Sequence, residues 1–259
     1  MISYIKSELF RAKKTKAFRY LILAVAIFVP LIITLSATNT KFDIDYYSGA
    51  GELAIGFGTI VVSCIALFFI FKNKDTKTQI IGYGIKKEKL YWWDFITYNL
   101  IVAILALIIM LVLIVLSFPL GAIFKAVHTD TGMYAFIKTV LVSLLLQINV
   151  NSVLYGLAYL FNKPFGGILM NYAAFDLILR VLFIISGEKY SMLILKIGDY
   201  LPTHILNQVA NRVLYEEPIF SKAIAASGYK IGNIILSFVI CFAISHFLGL
   251  LAFKKRELL

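Results

Sequence analysis

Two charged side chains stand where an apolar helix should have none. Asp176 and Arg180 lie four residues apart in DLILR, inside the apolar run 165–186. Residues spaced by four share a helix face and can pair. Unpaired, each charge would cost at least about 2.5–3.5 kcal/mol at the centre of a membrane helix, so the pair is either a functional site or a structural ion pair. A second polar set occupies the run 134–161, where Ser143, Gln147, Asn151, Tyr155 and Tyr159 recur every four residues, with Asn149 off the line. Such a stripe can line a transport path or a dimer seam. It can equally bond helix to helix, at less than ~1 kcal/mol per contact.

Enzyme chemistry finds little purchase in this chain. The stretch YEEPIF (215–220) is similar to the Glu-Glu-x-x-x-Arg signature of intramembrane CAAX-type proteases, but position 221 is Ser and Pro218 would break the helix such a site needs. Neither H-E-x-x-H nor G-x-S-x-G occurs. Cys64 and Cys241 both fall inside apolar runs and make neither a disulfide framework nor a metal spacing. His246, near the end of the last apolar run, reads as an interfacial residue.

The elements that must position these residues follow from composition. The 259 residues are 61% hydrophobic and 15% charged, with a mean hydropathy of +0.88. A soluble domain carries about 25% charged residues, so the excess apolar surface calls for lipid as its solvent. Runs near the roughly 20 residues that cross a bilayer fall at 19–37, 51–71, 95–120, 134–161, 165–186 and 229–252. They do not alternate as barrel strands would. The expected fold is a single all-α membrane domain over 1–259 with six transmembrane helices. The first run is long, contains Pro30 and precedes no A-x-A-like site, so it reads as an uncleaved span.

Charge sets the orientation. An even number of spans puts both ends and the even-numbered loops on one side. That side carries Lys6, Arg11, Lys13, Lys14, Lys16 and Arg19, then Lys72, Lys74, Lys77, Lys86, Lys87 and Lys89, then Lys163, Lys254, Lys255 and Arg256. Its acids are Glu8, Asp75, Glu88, Asp94 and Glu257, which leaves that face with the whole formal charge of +11. The positive-inside rule makes it cytosolic, both termini included. Anionic lipid headgroups account for this charge without nucleic acid.

Between the spans three segments have shape. Residues 1–18 place Ile2, Ile5, Leu9 and Phe10 on one stripe, the pattern of an amphipathic helix in the membrane interface. In the cytosolic loop 72–94, Thr76-x-x-Gln79 is a capping-box pattern that predicts a helix start. That helix should stop at Gly82-Tyr83-Gly84, and a second should run from Lys86 into the third span, with Tyr91, Trp92 and Trp93 as an aromatic belt. In the loop 187–228, expected outside the cell, Thr203 is available as a cap and Ile205, Leu206, Val209 and Val213 share a face. The piece 191–198 is apolar but too short to cross.

This order of elements resembles the type-2 permease subunits of ATP-binding-cassette exporters. In that family the loop between spans two and three holds a helix, a Gly-hydrophobic-Ser-Arg-like turn and a tyrosine-rich approach to span three. Here the stretch is QIIGYGIKKEKLYWWDF, in which Gly84, Ile85, Lys87 and Tyr91 fit. Lys86 replaces the usual small polar residue, and Asp94 stands where a lysine would be usual. The tail LAFKKREL is also similar. The resemblance implies a bacterial plasma-membrane protein with an interfacial amino-terminal helix, a coupling helix between spans two and three and short outer helices before span six. It implies a cytosolic ATPase subunit as partner, docking at Thr76, Gln79, Ile80, Ile81, Gly82, Tyr83, Gly84, Ile85, Lys87 and Tyr91. A second copy or a paralogous permease would complete the pair. Ser143, Gln147, Asn151, Tyr155, Asp176 and Arg180 become candidates for the path. No G-x-x-x-x-G-K-[ST] loop is present, so ATP and Mg would be used by the partner, with no cofactor on this chain. Family members of this size in Gram-positive bacteria often export antimicrobial or toxin-like peptides or protect against them. The alternative is a membrane immunity or assembly factor that does not transport.

Overall fold

The computed structural model describes residues 1–16, 59–72, 74–124, 130–171, 200–215 and 227–255, with isolated positions elsewhere. The described residues are mostly helical, and none of them is in a strand. In chain order they form α1 (Ile2–Lys14), α2 (Thr59–Phe71), α3 (Lys74–Gly82), α4 (Lys87–Phe124), α5 (Asp130–Phe161), α6 (Pro164–Leu169), α7 (Pro202–Tyr215) and α8 (Ile231–Lys255).

Three of these helices are long and apolar enough to cross a membrane: Lys87–Leu116 within α4, α5, and α8. They coincide with the third, fourth and sixth expected spans. α2 covers the later part of the second. The first span, most of the fifth, the piece 191–198, and with them Asp176 and Arg180, lie outside the described residues. α4 has 38 residues, roughly 57 Å at 1.5 Å per residue, against a hydrocarbon core of about 30 Å. The helix is therefore longer than the lipid core is thick.

Burial follows helical spacing. α4 turns Leu90, Tyr91, Tyr98, Ile101 and Leu105 inward, while Ile96, Leu100, Ile104, Leu107, Leu111 and Val115 stay open on its other side. α8 likewise leaves Ile235, Val239, Ile244, Phe247 and Leu251 open. Apolar stripes of this length on an outer surface need a lipid solvent. α5 is the centre of the bundle, and its second half is almost entirely buried.

The tightest packing is between α5 and α8. A Cβ at Gly156 would collide with the backbone carbonyl of Ser245, and one at Gly249 would come within 2.8 Å of the Gly156 carbonyl. Ser152 and Gly156 on α5, and Ser245 and Gly249 on α8, each space two small residues by four, which lets two backbones touch in lipid. α5 then ends at Asn162, whose φ of 58° turns the chain, and Pro164 opens α6 at a position where its missing N–H is harmless.

α7 shows the expected apolar face, with Ile205, Leu206, Val209 and Val213 all buried. They pack on protein: Leu206 shares a cluster with Val150 and Leu154 of α5, and Ile205, Val209 and Val213 share one with Val142. Thr203 is not the cap. Pro202 already begins the helix, and the Leu201 carbonyl accepts the first bond, from the Ile205 N–H at 3.0 Å.

Candidate functional site

The segment joining α2 to α4 is compact and ordered by its backbone. α3 ends where Gly84 adopts φ +86°, a conformation that side chains with a Cβ resist. The Gly84 N–H donates to the Ile81 carbonyl at 2.9 Å and the Ile85 N–H to the Ile80 carbonyl at 3.4 Å. That pair of bonds is a Schellman motif, which satisfies the last carbonyls of the helix. The start differs from expectation. α3 begins at Lys74, so Thr76 lies inside the first turn and is not its N-cap. A tertiary anchor one residue further on, Lys77, holds this end of the helix instead.

That anchor ends on Asp94, in the second turn of α4, whose side chain is wholly buried. The Lys77 Nζ stands 2.6 Å from Asp94 Oδ2. The Tyr159 hydroxyl of α5 donates to the same oxygen at 2.7 Å and accepts from Lys77 Nζ at 3.0 Å. Tyr4 of α1 donates to Asp94 Oδ1. The ammonium also lies 5.6 Å from the Phe71 ring centre and 5.5 Å from that of Tyr159, at the edge of cation–π range. One carboxylate thus ties together α1, the short helix α3 and the two long helices α4 and α5. A buried ion pair is tolerable only when its remaining lone pairs and protons are satisfied in this way.

Burial, and then the negative charge of Asp94, push the Tyr4 hydroxyl well above its ordinary titration range, so it stays a donor. The same side of α1 carries Glu8, bridged by Arg11 at 3.0 Å, and buried Ala12. The face of α1 on the bundle is therefore Tyr4, Glu8 and Ala12. The predicted stripe divides: Leu9 packs partly on the core, while Ile2 and Phe10 point away from it.

Further into the bundle sits an aromatic layer. The Tyr155 hydroxyl donates to the Tyr91 carbonyl at 2.7 Å, and the Tyr91 hydroxyl is hydrogen-bonded to His246 Nδ1 at 3.0 Å. His246 is 3% exposed, with the Phe95, Phe242 and Trp92 ring centres 4.4, 4.3 and 4.8 Å away. Its interfacial reading is corrected: the close approach of α8 to α5 carries it into the core. Tyr91 is likewise no belt residue, since α4 is already enclosed by its second turn.

Beyond that layer, Gln147 Nε2 donates to Ser63 Oγ at 2.7 Å, and Ser63 Oγ donates to Asn151 Oδ1 at 2.7 Å. Tyr98 donates to the same Asn151 oxygen at 3.2 Å, and Asn151 Nδ2 donates to Asn99 Oδ1 at 2.9 Å. The stripe Ser143, Gln147, Asn151, Tyr155 and Tyr159 thus faces the interior of this one chain, and from Gln147 onward it bonds α5 to α2 and α4.

Of the docking residues, Gln79, Gly82, Tyr83 and Gly84 are exposed, Tyr83 at 88%, and Thr76, Ile80, Ile81 and Ile85 are half-buried. Lys87 is turned toward α8, where its ammonium donates to the Lys254 carbonyl at 3.3 Å. Tyr91 is fully buried and lies off this surface. Lys77, Asp94 and Tyr4 were not among the expected site residues. The available signal was Asp94 itself, a carboxylate standing at the mouth of an apolar span. No family model matches the chain, and no curated protein matches it closely enough to count as a relative.

Proposed function

We propose that this chain is the six-span permease subunit of an ATP-binding-cassette exporter. It works with a separate cytosolic ATPase subunit and a second permease, and moves a hydrophobic or amphipathic substrate such as a peptide out of a bacterial cell. The observation that carries the reading is α3, a short helix joined to the spans on one face and open on the other. Inward it is held by Lys77 on Asp94. Outward it offers Gln79, Gly82 and Tyr83 beside a glycine-fixed turn. A solvated loop would need neither the buried ion pair nor the defined end. A docking element needs both, because a push on it must reach the spans. The continuous helix from Lys87 through the apolar run supports the same reading, for it joins the turn to a span without a flexible joint.

The test is co-purification of the chain with the ATPase encoded beside it, with residues 78–90 intact or replaced by a Gly/Ser linker. Association should be lost with the linker, and ATP-dependent transport with it. Survival of both would sink docking at this loop. Absence of any neighbouring ATPase gene would count against the exporter itself.

A further inference from the structure

α8 is joined to α4 in two unlike ways. Deep in the bundle the Tyr91 hydroxyl is bonded to His246 Nδ1 at 3.0 Å, among packed rings. At this level α8 crosses α5 backbone to backbone, and a Cβ at Gly249 would also come within 2.8 Å of the Tyr91 hydroxyl. Near the end of α8 the join is superficial. The Lys254 ammonium lies 2.8 Å from Glu88 Oε1, with the two side chains 43% and 42% exposed. The Lys254 carbonyl accepts from the Lys87 ammonium at 3.3 Å. Exposed ion pairs are weak in water and weaker in salt. The opposite half of α8 is lightly held, since Ile231, Ile235, Leu236 and Val239 are all more than half open. There Ser237 donates to the Tyr200 carbonyl, and Ile234 packs at the edge of the α7 cluster.

These features together describe a lever. Side chains interlocked between helices resist rotation, but Gly156 against Gly249 offers none to interlock. The Tyr91–His246 bond meanwhile stops α8 from sliding. We propose that α8 pivots at His246, and that Lys87 and Glu88 form a latch on the end that carries Lys254. The helix runs about 12 Å from His246 to Lys254 and about 22 Å from His246 to Ile231, at 1.5 Å per residue. A shift at the latched end is therefore nearly doubled at the far one. Lys87 and Glu88 are the first residues of α4 and follow the Gly84 turn, so a protein seated on that turn meets the latch. In the exporter reading that protein is the ATPase, yet the pivot belongs to this chain and is tested without it.

The experiment is double electron–electron resonance on the purified full-length chain in nanodiscs. Nitroxides go on cysteines at Val115 of α4 and Ile231 of α8, both exposed, with Cys64→Ala and Cys241→Ala as background. Glu88→Lys should raise the population of a second, displaced distance about fivefold or more, the worth of a good exposed ion pair. High salt should shift the unmutated latch the same way. Glu88→Lys with Lys254→Glu restores the pair in reverse and should return the single distance. A second readout is Trp92 emission in Trp93→Phe, which leaves one tryptophan, 4.8 Å from the His246 ring centre. It should stay unchanged when the latch opens, because the pivot holds that layer together. Distances indifferent to Glu88→Lys would overturn the latch. A Trp92 shift accompanying the displaced distance would overturn the pivot, for α8 would then be leaving Tyr91 altogether.

Discussion

Replacing Asp94 with alanine should be among the most damaging single changes in this chain. It removes the only charge facing the Lys77 ammonium among the contacts described, and Lys77 is 6% exposed in its side chain. Breaking one partner of a buried pair typically costs about 3–5 kcal/mol, because the other charge is left uncompensated. Two phenolic donors, Tyr4 and Tyr159, also lose their acceptor, which places the expected cost at the upper end of that range. Lys77→Met alone should cost less, since the carboxylate keeps both phenols. The double variant Lys77→Met with Asp94→Leu should recover most of the loss, as apolar replacements of buried pairs are often neutral or better. The assay is reversible unfolding by a denaturing detergent, run as a double-mutant cycle over Lys77→Met, Asp94→Leu and the two together. A coupling energy of about 2 kcal/mol or more is expected, at the upper part of the range for contacting residues. Additive single effects would refute the reasoning, for they would mean that the two side chains do not meet.

Other outcomes follow from neighbouring features. Gly156→Ala should cost about 1–3 kcal/mol, the usual penalty of overpacking, since its Cβ meets the Ser245 carbonyl. Gly232→Ala, which meets nothing, should be neutral or stabilising in the same unfolding assay. Tyr83→Ala should leave stability within about 0.5 kcal/mol yet lower ATPase co-purification at least tenfold, given its 88% exposure at the turn; unchanged binding would move the docking surface elsewhere. The Tyr4 contribution has a pH signature. Its titration is raised in the fold, so the stability it adds is intact below its ordinary value of 10.0 and declines as pH rises beyond that. Tyr4→Phe should flatten this decline above pH 10.0, measured as α1 exchange or unfolding against pH.

Much of the architecture was legible because it depends on period and punctuation. The runs that became α4, α5 and α8 stay apolar for more than the roughly 20 residues that cross a bilayer, and Gly84 marked its turn by residue type alone. The α7 face was visible at helical spacing, although the sequence did not say whether protein or lipid would cover it. The junction at Asp94 was not legible, for two physical reasons. Lys77 and Asp94 are joined across a turn, and Tyr4 arrives from 90 residues away, so no local spacing reports the contacts. Lys77 also sits in sequence near Lys72, Lys86 and Lys89, which do face solvent, and its type cannot reveal that it is enclosed. Thr76 failed as a cap for a related reason. A cap pattern predicts a start only where local bonds decide it, and here a tertiary anchor does. The polar stripe of α5 was seen correctly as a line, but which neighbours it served required the positions of Ser63, Asn99 and Tyr98.

The glycine crossing of α5 and α8 bears on how this sequence can change through time. The lipid-facing positions of α4 and α8 ask only for bulk and greasiness, so Ile, Leu, Val and Phe can replace one another there with little penalty. Positions 156 and 249 admit no added carbon without pushing two main chains apart. Descent from a common ancestor should therefore erase most of the sequence while sparing these two glycines and the serines four residues before them. A search for distant cousins that weights these four positions, together with an aspartate at the head of the long span, would reach further than one that weights overall likeness.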